Sequence, residues 1–347
     1  MTGAYQTTVD GLDLPALERF FSEHVPQFHG RLTAELLQGG RSNLTYLVTD
    51  GQTRWVVRRP PLGGLTPSAH DMQREYRVVA ALAASGVPVA RAVAIGRADD
   101  ALGVPFSVVE HVDGRVIRTV EQLHALPDSE IARCAYGLVN VLARLHAVDP
   151  GAVGLTGFGR PQGYLTRQVQ RWYDQWQRVR TRELVDMERL YAGLAAACPA
   201  ESGASIVHGD YRIDNAILDH GDPAIVRAVV DWEMATLGDP LADLGLHLVY
   251  TDPVFAPVLN GSAASTSDRL PTPADLAQRY AEASNRDLGD LGFYLALGYF
   301  KIAVIAEGIH ARFQQGLTLG TGFDTVGQAV APLTAAGLRA LTHLEPL

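Results

Sequence analysis

The stretch Ile206–Glu233, IVHGDYRIDNAILDHGDPAIVRAVVDWE, decides how the rest of the chain is read. It opens on a β-branched apolar run into His208-Gly209-Asp210. A second apolar run covers Ala216 to Leu218, and the turn formers Asp219-His220-Gly221-Asp222-Pro223 follow. Ala224 to Val230 then leads into Asp231-Trp232-Glu233. Apolar runs divided by turn formers predict a strand, a loop, and a β-hairpin whose last strand delivers a carboxylate.

Asp210 and Asn215 stand in the pattern H-x-D-x-x-x-x-N. That is the catalytic-loop spacing in which an Asp accepts a substrate hydroxyl proton and an Asn holds magnesium. Asp231 ends the hairpin where a second magnesium ligand belongs. The chemistry needs one carboxylate to orient a hydroxyl and hard oxygens to hold Mg²⁺ against phosphates. Magnesium keeps several waters, so a sparse protein ligand set suffices. Taken singly, Asp210 and Asn215 also read as turn residues and Asp231 as a strand end. Their order between apolar runs favours the chemical reading. His208 reads as a loop brace. Arg212 reads equally as a phosphate or substrate contact and as a solvated arginine.

With His208-Gly209-Asp210-x-x-x-x-Asn215 followed by Asp231-Trp232-Glu233, the chain resembles the aminoglycoside phosphotransferase / choline kinase-like superfamily over nearly its whole length. HGDYRIDN together with Gly238 to Gly245, GDPLADLG, is most similar to one branch, found alone in many bacteria and fused to some acyl-CoA dehydrogenases. The resemblance implies an α+β, protein-kinase-like two-lobe fold. The N-lobe, a small antiparallel sheet with one helix, takes residues 1–112; a mainly helical C-lobe takes 113–347. It implies ATP and Mg²⁺, with the γ-phosphoryl group moving to a small-molecule hydroxyl. Asp210 is then the base, and Asn215 and Asp231 are the metal ligands. His208, Arg212, Glu233 and Asp243 fall to the supporting or acceptor side, with Asp243 bracing the loop.

Upstream, Leu36 to Val48 reads as strand, glycine turn and strand. Asp50-Gly51 then signals a hairpin into a strand over Arg54 to Arg58. A glycine turn lets backbone N–H groups approach phosphate, but the strict G-x-G-x-x-G is absent. The resemblance makes GGRSNLTY the nucleotide-covering loop, with Ser42 and Asn43 on the phosphate side. Kinases place a Lys on the next strand; here the sequence has Arg58-Arg59. Alternation sends their side chains to opposite faces, so only one can grip phosphate, and Arg58 matches best. Ser68 to Asp71 predicts a helix start and Gly86 its end. Glu75 on that helix reads as the partner of the strand arginine or as a solvated charge. The resemblance makes Glu110 to Val112 a hinge whose backbone meets adenine.

Further helices are predicted over residues 10–29, along Ile131 to Leu145, within 164–197, from Asp239, and over Leu288 to Phe313. The aromatic run Trp172, Tyr173, Trp176 reads as core or as pocket lining. Val254 to Pro273 reads as a polar loop. Lys301, Glu307, His310 and Arg312 are candidates for an acceptor pocket.

The chain has 347 residues, 47% hydrophobic, with 29 basic and 38 acidic side chains and a net charge of −9. Such a balance argues against a nucleic-acid surface, which needs clustered Lys and Arg. The most apolar run, Leu291 to Ala306, carries Lys301 and is shorter than the ~20 residues a bilayer span needs, so a buried helix is expected and no membrane partner. Cys134 and Cys198 show neither metal spacing nor a disulfide framework. With no signal peptide in evidence, a cytoplasmic setting is expected. Oligomeric state is not legible. Three rival readings remain: an aminoglycoside-modifying kinase, a nucleotide-binding pseudokinase, and a protein kinase. The first differs only in acceptor. The second leans on the missing lysine alone. The third lacks D-F-G and A-P-E markers.

Overall fold

The computed structural model describes residues 8–37, 43–62, 71–259, 263–318 and 322–342. Ser42 and Ser68 lie outside these. The chain divides into two compact units: unit 1 takes residues up to Asp113 together with Ala228–Glu233, and unit 2 takes the remainder.

Unit 1 begins with a short hairpin, β1 (Thr8–Val9) and β2 (Leu12–Asp13), which the sequence reading did not foresee. Helix α1 (Leu14–His24) is shorter at both ends than residues 10–29. Asp13 caps it by accepting from the Ala16 N–H at 3.0 Å, and Pro26 follows closely and disfavours helix before it. Strands β3 (Thr33–Leu36), β4 (Leu44–Thr49) and β5 (Arg54–Arg59), helix α2 (Met72–Leu82), and strands β6 (Ala92–Gly96) and β7 (Phe106–Glu110) follow. The five strands form one antiparallel sheet in the order β3-β4-β5-β7-β6. Asp50 turns the β4–β5 hairpin, accepting from the Gln52 and Thr53 N–H groups at 2.9 and 2.8 Å. Helix α2 starts from an Asp71 cap, whose side chain accepts from the Arg74 N–H at 2.9 Å. On the sheet, Tyr46, Val48, Trp55, Val57, Phe106 and Val108 are buried in one cluster with Leu17 and Phe21 of α1. The period-two alternation of strands produces that single apolar face. Phe21 meets Trp55 edge-on at 5.3 Å between ring centroids. The hairpin segment Ala228–Glu233 belongs here partly through the Val229 N–H, which bonds the Pro88 carbonyl at 2.8 Å.

Unit 2 is mainly helical. Its elements are α3 (Val120–His124), α4 (Asp128–Ala147), α5 (Tyr164–Val179), α6 (Val185–Ala196), β8 (Ser205–Val207), β9 (Ala216–Leu218), β10 (Val226–Val229), β11 (Thr236–Gly238), α7 (Pro240–Val249), α8 (Ala256–Leu259), α9 (Pro273–Ser284), α10 (Leu291–Gln314) and α11 (Val330–Thr342). Strand β10 starts in this unit and ends in unit 1. The expected hairpin is β9–β10, while β8 pairs antiparallel with β11, a strand the sequence reading passed over.

Helix α10 is long and apolar enough to cross a membrane by length and composition, but 67% of its most apolar window is buried inside the protein. It packs against α7, α11 and α5. A Cβ on Gly245 of α7 would lie 2.7 Å from the Tyr294 backbone, so glycine is what lets these two helices approach. Within the polar loop expected over Val254 to Pro273, Pro253–Phe255, Ala256–Leu259 and Ala264–Thr266 form short helical turns that bury Phe255, Val258, Leu259 and Ala264. Glu307, a candidate for the acceptor pocket, is fully buried. It accepts from the Thr181 N–H at 2.9 Å and pairs with Arg182 at 2.9 Å, so it fixes the α5–α6 turn. His310 packs against Gly327. Trp176 belongs to the core.

Candidate functional site

In unit 2, strand β8 runs into His208-Gly209-Asp210. Gly209 has φ +83, and a Cβ there would lie 2.8 Å from the Met234 carbonyl oxygen, so the bend requires glycine. Asp239 caps α7 ahead of Pro240 and sets the first turn so that Asp243 faces the loop. The buried Asp243 carboxylate accepts from the His208 N–H at 2.6 Å and the Gly209 N–H at 2.8 Å. His146 Nε2 lies 3.3 Å from it, and His146 Nδ1 lies 2.7 Å from the Tyr280 hydroxyl. Burial pushes the Asp243 carboxyl up, but its bonds to His146 and the loop outweigh that and hold its pKa below the ordinary carboxylate value. On the other side of the peptide, Lys301 Nζ donates to the Gly209 carbonyl at 2.7 Å. Lys301 also stands 5.6 Å from the centroid of the Trp172 ring. Loop N–H and C=O groups are thus held from two helices.

Asp210 keeps 27% of its side chain exposed. Its Oδ1 accepts from the Tyr250 hydroxyl. Its Oδ2 accepts from Asn215 Nδ2 at 3.0 Å, and the same amide nitrogen donates to the Asp210 carbonyl at 2.8 Å. Arg212 Nε lies 3.6 Å from Oδ2, and Arg212 Nη1 pairs with Asp214 at 2.8 Å. Burial works to raise the Asp210 pKa; Arg212, the Tyr250 hydroxyl, Lys301 and His208 together bring it below the ordinary value. The group is therefore an ionised carboxylate at neutral pH, able to accept a proton. His208 is fully buried, and its Nδ1 accepts from the Asp210 N–H at 3.2 Å, a bracing role. Sequence reasoning missed Tyr250 and Asp214. Tyr250 sits at the far end of α7, and nothing local marks it.

In unit 1, alternation along β5 settles which arginine is available. Arg59 shares the buried face, with its guanidinium bonded to the Gly11 and Pro60 carbonyls. Arg58 points the other way, bonding Glu75 of α2 through Nη1 and Asp231 through Nη2 at 3.2 Å. Burial raises the Glu75 carboxyl against the pull of Arg58. Burial acts to lower the Arg58 pKa, yet Glu75 and Asp231 outweigh it, and the guanidinium stays charged. Asp231 has φ +68, a left-handed backbone uncommon outside glycine, tolerated by Asp, and enriched at functional sites. Glu233, expected on the acceptor side, accepts from Asn43 Nδ2 at 3.3 Å and so ties the start of β4 instead. Glu110 pairs its side chain with Arg91. The Glu110 and His111 N–H groups bond the Arg91 and Arg54 carbonyls at 2.9 and 3.1 Å. Two of the three N–H groups expected to meet adenine are thus spent within the unit.

Among the described residues no group of three or more His, Cys, Asp or Glu could hold a metal ion. Magnesium asks for less, one or two carboxylates plus water and phosphate. Asn215 donates through its NH₂ to two Asp210 oxygens, which leaves its carbonyl oxygen as a hard donor. Asp231 has a carboxylate whose Oδ1 already meets Arg58. Asn215 in unit 2 and Asp231 in unit 1 each offer a hard oxygen of the kind magnesium takes.

Residues 33–281 match the family model described as the phosphotransferase enzyme family. Among curated proteins, acyl-CoA dehydrogenase family member 11 of Rattus norvegicus is 33% identical over 336 residues, covering 94% of this chain and 43% of its own length. The chain thus spans less than half the length of that relative. Among solved structures, a candidate aminoglycoside phosphotransferase of Ralstonia eutropha is 32% identical with a TM-score of 0.82, covering 95% of this chain and 98% of that one. An aminoglycoside phosphotransferase bound to ADP and hygromycin B superposes with a TM-score of 0.61 at 17% identity, covering 93% of this chain and 99% of its own, a likeness of fold.

Proposed function

Because the chain belongs to the phosphotransferase enzyme family, we propose that it moves the γ-phosphoryl group of ATP to a hydroxyl of a small molecule. The observation that carries this reading is the Asp210–Asn215 pair, an ionised, partly exposed carboxylate held by the residue that also offers a metal ligand. Asp210 takes the proton of the acceptor hydroxyl as its oxygen bonds to the γ-phosphorus. The bond from that phosphorus to its bridging oxygen breaks, and ADP leaves. Arg58, held by Glu75, forks onto phosphate oxygens. Asn215 and Asp231 would hold magnesium, which when bound neutralises phosphate charge. Asp243 and Lys301 keep the loop backbone fixed, so that little reorganisation is needed at the moment of transfer. Fold neighbours carry ADP in one case and GDP in another, which supports a purine nucleotide as donor class.

The acceptor we favour is a hydroxylated acyl metabolite. The charges acting on Asp210 from Arg212 and Lys301 are positive and disfavour a polycationic sugar. The acyl-CoA dehydrogenase name of the curated relative supports the same direction. An aminoglycoside acceptor is the second reading, favoured by the name of the Ralstonia structure. A metabolite extract incubated with ATP and Mg²⁺ and read by mass spectrometry is expected to yield a phosphorylated hydroxyacyl compound, while a kanamycin panel yields none. Asp210→Ala is expected to abolish turnover while calorimetry still detects nucleotide binding; turnover at the unmodified rate would refute the base. The reading assigns the activity to the cytoplasm.

A further inference from the structure

The two Asp210 oxygens are not equivalent. Oδ2 faces the Asn215 amide at 3.0 Å and the Arg212 guanidinium at 3.6 Å. A carboxylate oxygen offers two lone pairs; the Asn215 amide takes one on Oδ2, and the Arg212 charge flanks that oxygen without a hydrogen bond. Oδ1 meets the Tyr250 hydroxyl, which leaves it one lone pair. We infer that Tyr250 is the positioning residue of the base: its hydroxyl, opposite the Asn215 amide, locks the Asp210 carboxylate in one rotamer and so fixes the line along which the acceptor hydroxyl is received. Nothing in the family match or the relatives' names assigns this position. The inference rests on the reading of Asp210 as base.

The geometry around Tyr250 supports a fixed role. Its ring is buried at the end of α7, packed against Phe255 at 4.8 Å between centroids and beneath Arg212 at 5.7 Å. A ring held on two sides presents its hydroxyl along one line. In transfer the acceptor proton passes to the Asp210 carboxylate, and Tyr250 keeps its own proton throughout. Burial and the Asp210 charge raise the phenol pKa, so it stays a donor.

Tyr250→Phe removes the oxygen and keeps the ring under Arg212. The probe is hydrolysis of Mg·ATP, with water in place of the acceptor hydroxyl. Losing a hydrogen bond to a charged group predicts a kcat about 10-fold lower with the KM for ATP unchanged. The same change in an Asp210→Asn background should add no further loss, because the hydroxyl acts only through that carboxylate. Unfolding midpoints of the two single variants and the double variant, which require no turnover, should be non-additive. Native hydrolysis by Tyr250→Phe, an equal loss in both backgrounds, or additive midpoints would each overturn the inference. If Asp210→Ala retains turnover, the base assignment has failed first; if only Tyr250→Phe behaves as the native protein, the base stands and the positioning role falls.

Discussion

Arg58 and Arg59 are adjacent and chemically identical, yet they end in different environments. The face each occupies was set once β4 and β5 paired and Trp55 and Val57 turned to the core. Arg59 follows them inward and binds backbone carbonyls, while Arg58 faces Glu75 and Asp231. The pairing with Glu75 is a matter of geometry as much as charge: a planar fork reaches two carboxylates at once, and an ammonium does not. Arg58→Lys is therefore expected to raise the KM for ATP about 10-fold with a smaller fall in kcat, read by steady-state kinetics. An unchanged KM would remove Arg58 from the phosphate grip. Asp231 illustrates the limit of residue-level reading. Its place at the end of an apolar run was visible, but its positive φ was not, since that belongs to the backbone path beyond β10.

At the scale of elements, the loop at His208 and Gly209 is held by α7. Asp243 was legible as a brace from its place in the first turn of a helix with a proline start. That it would reach the backbone N–H groups of His208 and Gly209, and not Arg212, required the packing of α7 against β8. Both Asp243 oxygens accept from loop N–H groups. Asp243→Asn therefore aims an NH₂ at one of those donors and is expected to cost about 2–3 kcal/mol of stability, with a fall in kcat. The same variant carries a pH signature. The folded Asp243 pKa lies below its unfolded value. Its stabilisation is thus complete above the unfolded value, about 4, and is lost as pH falls toward the folded value. The unfolding midpoint of the Asn variant should decline less steeply below about pH 4 than that of the native chain; parallel curves would show that Asp243 is not a paired carboxylate. Element ends were the least legible. Helix α1 lost the expected residues on both sides to a cap and a proline, and the supposed loop at Val254 to Pro273 buries Phe255 and Leu259 because local polarity gave no hint of the helices above it.

For the whole molecule, family and fold agree: an antiparallel sheet with its helices in one unit, a mainly helical second unit, and a kinase-like α+β fold shared with phosphotransferases. If the chain binds Mg·ATP in its folded state only, ligand at a hundred times Kd should add about 2.7 kcal/mol of stability. A chelator should remove most of that gain, and Asp231→Asn should weaken it, both followed by thermal unfolding; a gain indifferent to the chelator would exclude metal from the site. The sequence by itself determined the order of strand, loop and hairpin, the H-x-D-x-x-x-x-N spacing, and the helix carrying Glu75. Each of these follows from local periodicity and turn chemistry that act over a few residues. Only the tertiary structure decided that Tyr250 would meet Asp210, that Lys301 would cap the Gly209 carbonyl, and that Glu307 would serve the α5–α6 turn. These partners are separated by tens of residues along the chain, and their meeting depends on how buried helices pack, which no local pattern encodes.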